Sequence, residues 1–150
     1  MTKKVLITGG SGFIGRHCLP LLLDRGYQVH AIARKPLLEI AHPNLFWHSF
    51  NLFDSDIVGD LIAKIKPSHL LHLAWYSVPG QYLTTLENFR WVQASLELLQ
   101  MFTDGGGKRI LVTGTCAEYD WRYGYCDEKL TPLAPSSPYG ICKHSLYQLL

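Results

Sequence analysis

Short apolar runs alternate with longer segments of helical period along this chain. Residues 4–8 read KVLIT and residues 28–33 read QVHAIA. Further runs occupy 44–50, 69–74 and 109–113. Near-continuous apolar stretches of this kind predict strands buried on both faces. Between them, 3.6-residue periodicity predicts helices. The first covers residues 13–25 and is closed by Gly26. A second covers 54–65, with Asp54 or Ser55 as its cap and Pro67 beyond its end. A long helix is expected over 83–102, with Leu86, Phe89, Val92, Leu96 and Leu99 as its apolar stripe. A last helix starts after Pro138. Pro20 sits inside the first helix, where it removes a backbone donor and is expected to kink it. This alternation predicts an α/β fold, one parallel sheet covered on both faces, with residues 1–150 as one domain. No internal repeat, linker or low-complexity segment interrupts it.

Composition narrows the partners. The chain has 150 residues, 47% hydrophobic and 17% charged, with a formal net charge of +2. That near-neutral balance offers no electrostatic handle for nucleic acid or an anionic membrane, and neither is expected as a partner. No apolar run approaches the roughly 18 residues of a membrane span. The run Val5-Leu6-Ile7 breaks at Gly9-Gly10, so it does not read as a secretory leader. Cys18, Cys116, Cys126 and Cys142 form no Cys-x-x-Cys and no zinc-like spacing with histidine. Reduced thiols, a cytoplasmic location and no metal are the expectation.

The first candidate chemistry is Thr8-Gly9-Gly10-Ser11-Gly12-Phe13-Ile14-Gly15, between the first strand and the first helix. Gly10, Gly12 and Gly15 satisfy Gly-x-Gly-x-x-Gly, a weak signal alone but a strong one after a strand and before a helix. A turn this tight needs residues tolerant of positive φ. A pyrophosphate needs backbone N–H groups with no Cβ in the way, at a helix N-terminus that favours anions. The alternative spacing Gly9-x-x-Gly12-x-x-Gly15, preceded by Thr8, resembles the short-chain dehydrogenases/reductases. The form Thr-Gly-Gly-Ser-Gly-Phe-Ile-Gly is similar to their extended branch, the sugar-nucleotide epimerases, dehydratases and reductases. The resemblance implies a Rossmann-type doubly wound parallel sheet. It also implies cofactor contacts from Gly9, Gly12, Phe13, Ile14 and Gly15.

The second strand ends Ile32-Ala33-Arg34-Lys35. An acid there would bind the ribose 2′-hydroxyl of NAD, whereas an arginine accommodates the 2′-phosphate of NADP. Ala33 stands where the acid is expected, and two cations follow. A guanidinium binds phosphate bidentately. NADP is therefore the expected cofactor, with NAD possible and Arg34 the main contact. Asn51-Leu52 lies where the family carries an acid beside the adenine, and an asparagine can still hydrogen-bond the exocyclic amine. His72-Leu73-Ala74-Trp75 resembles the family's His-x-Ala-Ala after strand four, which implies cofactor contacts from Leu73 and Ala74. Trp75 replaces the last alanine and would crowd or reshape the nicotinamide pocket. Trp91 stands where many members have asparagine, and reads as core packing.

Tyr139 and Lys143 form a Tyr-x-x-x-Lys, one helical turn apart. Alone it is a cheap motif. Its company raises it: strand five runs into Val112-Thr113-Gly114-Thr115, and Pro135-Ser136-Ser137-Pro138 leads to Tyr139-Gly140. A phenol with a pKa about 10 is mostly protonated at neutral pH, and a cation one turn on favours the phenolate. A group brought towards the working pH is a useful acid or base. The resemblance implies that Tyr139 is the acid/base, that Lys143 also holds the nicotinamide ribose, and that Thr115 orients the reacting oxygen. Cys116 as a nucleophile is an alternative that lacks an adjacent histidine base. Cys116-Ala117 replaces the Asp-Glu pair of the 4,6-dehydratases, which argues against that subclass, and Glu118 comes one place late.

Two function classes follow. One is hydride transfer at a ring carbon of a sugar nucleotide, of the epimerase or keto-sugar reductase type. The other is a non-catalytic NADP(H)-binding sensor on the same fold. The resemblance further implies that the chain stops before the last strands and a C-terminal substrate domain. It also implies a homodimer through a four-helix bundle of the long helix and the Tyr-x-x-x-Lys helix.

Overall fold

The computed structural model describes residues 3–37 and 39–150. The elements run β1 (Lys4–Thr8), α1 (Phe13–Asp24), β2 (Gln28–Ile32), β3 (Leu45–His48), α2 (Ser55–Ile65), β4 (His69–His72), α3 (Glu87–Asp104), β5 (Arg109–Val112) and α4 (Pro138–Gln148). Two short 3₁₀ turns, Cys116–Glu118 and Trp121–Tyr123, precede α4. The five strands form one parallel sheet in the order β3-β2-β1-β4-β5. The order reverses between β1 and β4, the kind of switch point where α/β sheets bind ligands beyond the carboxyl ends of their strands.

The chain divides into two compact units. The first holds Met1–Ala74 and Glu97–Val112, and so the whole sheet; the second holds Trp75–Leu96 and Thr113–Leu150. In the first unit, Leu19 and Leu23 of α1 pack with Ile7, Val29 and Ala31 of the sheet. Leu6, Ile7, Val29 and Ala31 are fully buried, as the uninterrupted apolar runs require. α1 continues through Pro20, which lies on its exposed face. His30 and His48 stack on adjacent strands, with Nδ1 and Nε2 3.0 Å apart. Burial, with His48 and Lys4 nearby, lowers His30 to about 4, so this pair is neutral at physiological pH. No helix among the described residues is long and apolar enough to cross a membrane.

Two expectations are corrected in α3. The helix starts at Glu87 rather than residue 83, because Thr85 accepts from the Glu87 N–H and Leu83 O accepts from the Tyr139 N–H. Those bonds hold the preceding residues in turns. The expected stripe holds at Leu99, which is buried, and partly at Val92, but Leu86, Phe89 and Leu96 are 72%, 57% and 37% exposed. The buried side runs through Asn88, Ala94, Ser95, Leu98, Leu99 and Phe102. Both sides of α3 carry apolar residues, and the side holding the small and hydrogen-bonding ones faces inward.

Candidate active site

The glycine loop belongs to the first unit, and each of its turns has a steric cause. Gly9 has φ +70, and a Cβ there would stand 2.9 Å from Ala74 N. A Cβ on Gly15 would fall 2.2 Å from Gly9 O. Gly12 N donates to Gly9 O at 2.9 Å, closing the turn. Gly12 is also the N-cap of α1, so no side chain takes the helix's first donors. Phe13 and Ile14 are exposed on the first turn. This is a backbone cradle of the form a pyrophosphate needs: a turn without Cβ atoms at Gly9, Gly12 and Gly15, leading into the positive end of a helix that no side chain caps.

The cradle is tied to β4. Thr8 Oγ1 accepts from Ala74 N at 3.2 Å and lies 2.6 Å from His72 Nδ1. Leu73 N donates to Thr8 O. Leu73 and Ala74 are thus fixed against Gly9. Arg34 is exposed just past β2 and makes no ion pair among the described residues. Asn51 Oδ1 accepts from Phe53 N at 3.2 Å in a local turn, and Leu52 is buried.

The second unit gathers Thr115, Tyr139 and Lys143. Ser137 caps α4 by accepting from Gly140 N, with Pro138 at the first helical position. Gly140 lets α4 approach the first 3₁₀ turn, since a Cβ there would lie 2.4 Å from Ala117 O. That approach sets the Tyr139 phenol near the Thr115 side chain, whose hydroxyl favours the phenolate. Thr115 is itself held by a capping box: its Oγ1 accepts from Ala117 N, and Glu118 Oε1 accepts from Thr115 N at 2.8 Å. Glu118 is therefore committed to the backbone. Its other oxygen lies 3.5 Å from His144 Nδ1. Cys116 is exposed at the start of the same turn.

The electrostatics depart from the expected cation–phenolate pair. Burial raises the Tyr139 phenol above its ordinary value, and the Thr115 hydroxyl offsets this only in part. Lys143 is 4% exposed, and burial lowers it to about 8 against the opposing pull of Glu118. Its Nζ donates to Thr113 O. The ammonium also sits over the Trp75 ring, 4.4 Å from the centroid. Trp75 lies edge-on to Tyr139 at 6.4 Å, and Tyr82 does the same at 5.0 Å.

Sequence reasoning did not single out Asn88 or Tyr82. Asn88 is fully buried, accepts from Trp75 Nε1 at 2.8 Å, and donates to Tyr82 O and Thr85 O. Polar spacing alone carries no signal for either. Trp91 packs on Trp75 with centroids 6.1 Å apart, which agrees with its reading as a packing residue.

Comparison with known proteins places these residues in context. Residues 5–150 match the model of the NAD dependent epimerase/dehydratase family. The chain is 32% identical to a dTDP-6-deoxy-L-talose 4-dehydrogenase (NAD(+)) of Aggregatibacter actinomycetemcomitans, over 98% of this chain and 54% of that protein. It matches the Bordetella bronchiseptica enzyme WbmH, solved with NAD+, at 28% identity and TM-score 0.76, covering 99% of this chain and 52% of that one. The related enzyme WbmG, solved with NAD and UDP, shares the fold at TM-score 0.82 and 24% identity, over 99% of this chain and 49% of that one. The chain spans about half the length of the curated relatives it matches.

Proposed function

The chain belongs to the NAD dependent epimerase/dehydratase family, and from that membership we propose an oxidoreductase role: hydride transfer at a ring carbon of a sugar nucleotide, of the epimerase or keto-sugar reductase type. Residues 1–150 are read as the dinucleotide-binding domain. The observation that carries the proposal is the convergence of Thr115, Tyr139 and Lys143 in one unit, with the phenol near the threonine and the lysine one turn along α4.

The cofactor brings the hydride-carrying nicotinamide, and its oxidised ring is a positive charge. Gly9, Gly12, Phe13, Ile14 and Gly15 would hold its pyrophosphate, and Leu73, Ala74, Asn51 and Leu52 would complete its site. Arg34, exposed and next to the Ala33 position where an acid would select NAD, supports NADP. Thr115 orients the reacting oxygen. Tyr139, protonated at neutral pH by its raised pKa, gives a proton to a carbonyl oxygen in the reductive direction. Lys143 places its charge one turn away. Exposed Phe89 and Leu96 on α3, with Ile141 and Tyr147 on α4, support a homodimer through these two helices. Sedimentation velocity tests it, and a monomer at micromolar concentration contradicts it.

The bulky Trp75 and Trp91, where the family pattern has smaller residues, motivate the second reading, a non-catalytic NADP(H) sensor. One experiment separates the two. NADPH is titrated first, and sugar nucleotides and their keto forms are then screened for a change in nicotinamide absorbance. Turnover that Tyr139→Phe abolishes while cofactor binding persists supports catalysis. Turnover retained in Tyr139→Phe sinks the assignment of Tyr139, and cofactor binding without turnover supports the sensor.

A further inference from the structure

We propose that Trp75 is a positioning residue for Lys143: its indole face seats the lysine's ammonium, and Asn88 and Trp91 hold that face in place. The inference deepens the reading of Lys143 as part of the proton-transfer site and rests on it for its functional meaning.

The physical need comes first. Lys143 is 4% exposed. An ammonium has three donors, and a buried charge requires partners for them. One donor goes to Thr113 O. No carboxylate pairs with Lys143 among the described residues. Glu118, on the first 3₁₀ turn, acts on it at longer range while bonded to Thr115 N. The titratable groups that act on Tyr139, one turn back on the same helix, are Tyr82, Cys116 and Glu118. What faces the ammonium closely is the Trp75 ring, 4.4 Å from the centroid. The negative face of an indole attracts a cation, and most strongly where water is excluded.

That face is fixed rather than adventitious. The indole Nε1–H donates to Asn88 Oδ1 at 2.8 Å. Asn88 cannot turn its amide around, because both hydrogens of its NH₂ group are used, on Tyr82 O and Thr85 O, each at 2.8 Å. Flipping it would set donor against donor at the indole and acceptor against acceptor at the two carbonyls. Trp91, one turn along α3 from Asn88, packs on Trp75 at a 31° tilt. One turn of α3 thus supplies both the hook and the wall for the ring on which Lys143 rests. The position of the lysine charge depends on an aromatic face where an ion pair would be the commoner device.

Titration of Lys143 by NMR tests this, following the Nζ and Cε resonances of the ¹³C,¹⁵N-labelled full chain, with Lys143→Arg to identify them. Trp75→Leu keeps the apolar cover but removes the π face. It is expected to lower the Lys143 pKa by about half a unit to one and a half units. Trp75→Phe is expected to retain most of the wild-type value. Fluorinated tryptophans weaken the ring face without changing its shape, so they keep the test open even if the leucine variant does not fold. Their incorporation is expected to lower the pKa stepwise with each added fluorine. A Lys143 pKa that is unchanged in Trp75→Leu, or that ignores fluorination, overturns the proposal. The titration needs no turnover, so it can fail while Tyr139→Phe upholds the catalytic reading, and the reverse.

Discussion

Replacing Lys143 by methionine separates the cost of holding its charge from the rest of the fold. A fall in pKa from 10.5 to about 8 corresponds to about 3 kcal/mol against the charged form in the folded state. The sign follows from proton uptake. Between pH 8 and 10.5 the unfolded chain binds a proton at this lysine that the folded chain has released. Stability from this group therefore rises with pH across that window, and below pH 8 the full cost is present. Methionine fills a similar volume without charge. At pH 7 the Lys143→Met variant recovers that cost, less about 1 kcal/mol for the bond lost at Thr113 O. It is expected to be more stable than the parent by about 2 kcal/mol. That advantage is expected to vanish by pH 10.5. The assay is urea unfolding followed by far-UV circular dichroism at pH 7, 8, 9 and 10.5, with both proteins side by side. Tyrosines and cysteines titrate in both and cancel in the difference. A stability difference independent of pH from 7 to 10.5 would falsify the premise that Lys143 is held charged against its burial.

Two further outcomes test the cofactor cradle. Gly15→Ala places a Cβ 2.2 Å from Gly9 O, a backbone atom that cannot move without opening the turn; loss of NADPH binding is expected in a fluorescence titration, together with a lower melting temperature, and unimpaired binding contradicts the cradle. Arg34→Ala removes the guanidinium offered to a 2′-phosphate, so NADPH is expected to bind about tenfold more weakly and NADH unchanged, a loss of roughly 1.4 kcal/mol; equal weakening of both would remove Arg34 from cofactor selection.

Elements encoded by short-range chemistry were legible in the chain. β1 and β2 show as apolar runs because both faces are covered. The glycine loop shows because steric demands at Gly9 and Gly15 admit no other residue. The start of α4 shows because Ser137 and Pro138 are both cap signals. What depends on long-range packing was not legible. α3 has apolar residues on two sides, and periodicity cannot say which one turns inward. The inward side holds Asn88 and Ser95, which a hydrophobic pattern passes over. The Tyr139–Lys143 spacing indicated neighbours on one helix face. It could not indicate that burial would act on both groups more strongly than their mutual charge.

The same long-range packing explains why two departures from the family pattern occur together. Trp75 and Trp91 each stand where the resemblance leads one to expect a smaller residue. Taken singly, Trp75 is a bulky intrusion beside Tyr139 and Lys143, and Trp91 another behind it. Together they meet at 6.1 Å, and the polar atom of Trp75 finds a fully buried acceptor in Asn88. A buried polar network costs stability unless its members are satisfied, and here the indole N–H and all the Asn88 groups have partners. A site released from use has no reason to assemble such a network around an intact Tyr139 and Lys143, nor to keep a lysine whose burial costs about 3 kcal/mol. The aromatic substitutions are therefore better read as a rebuilt support for the lysine than as decay of the pocket. That weighs the balance towards catalysis over the sensor.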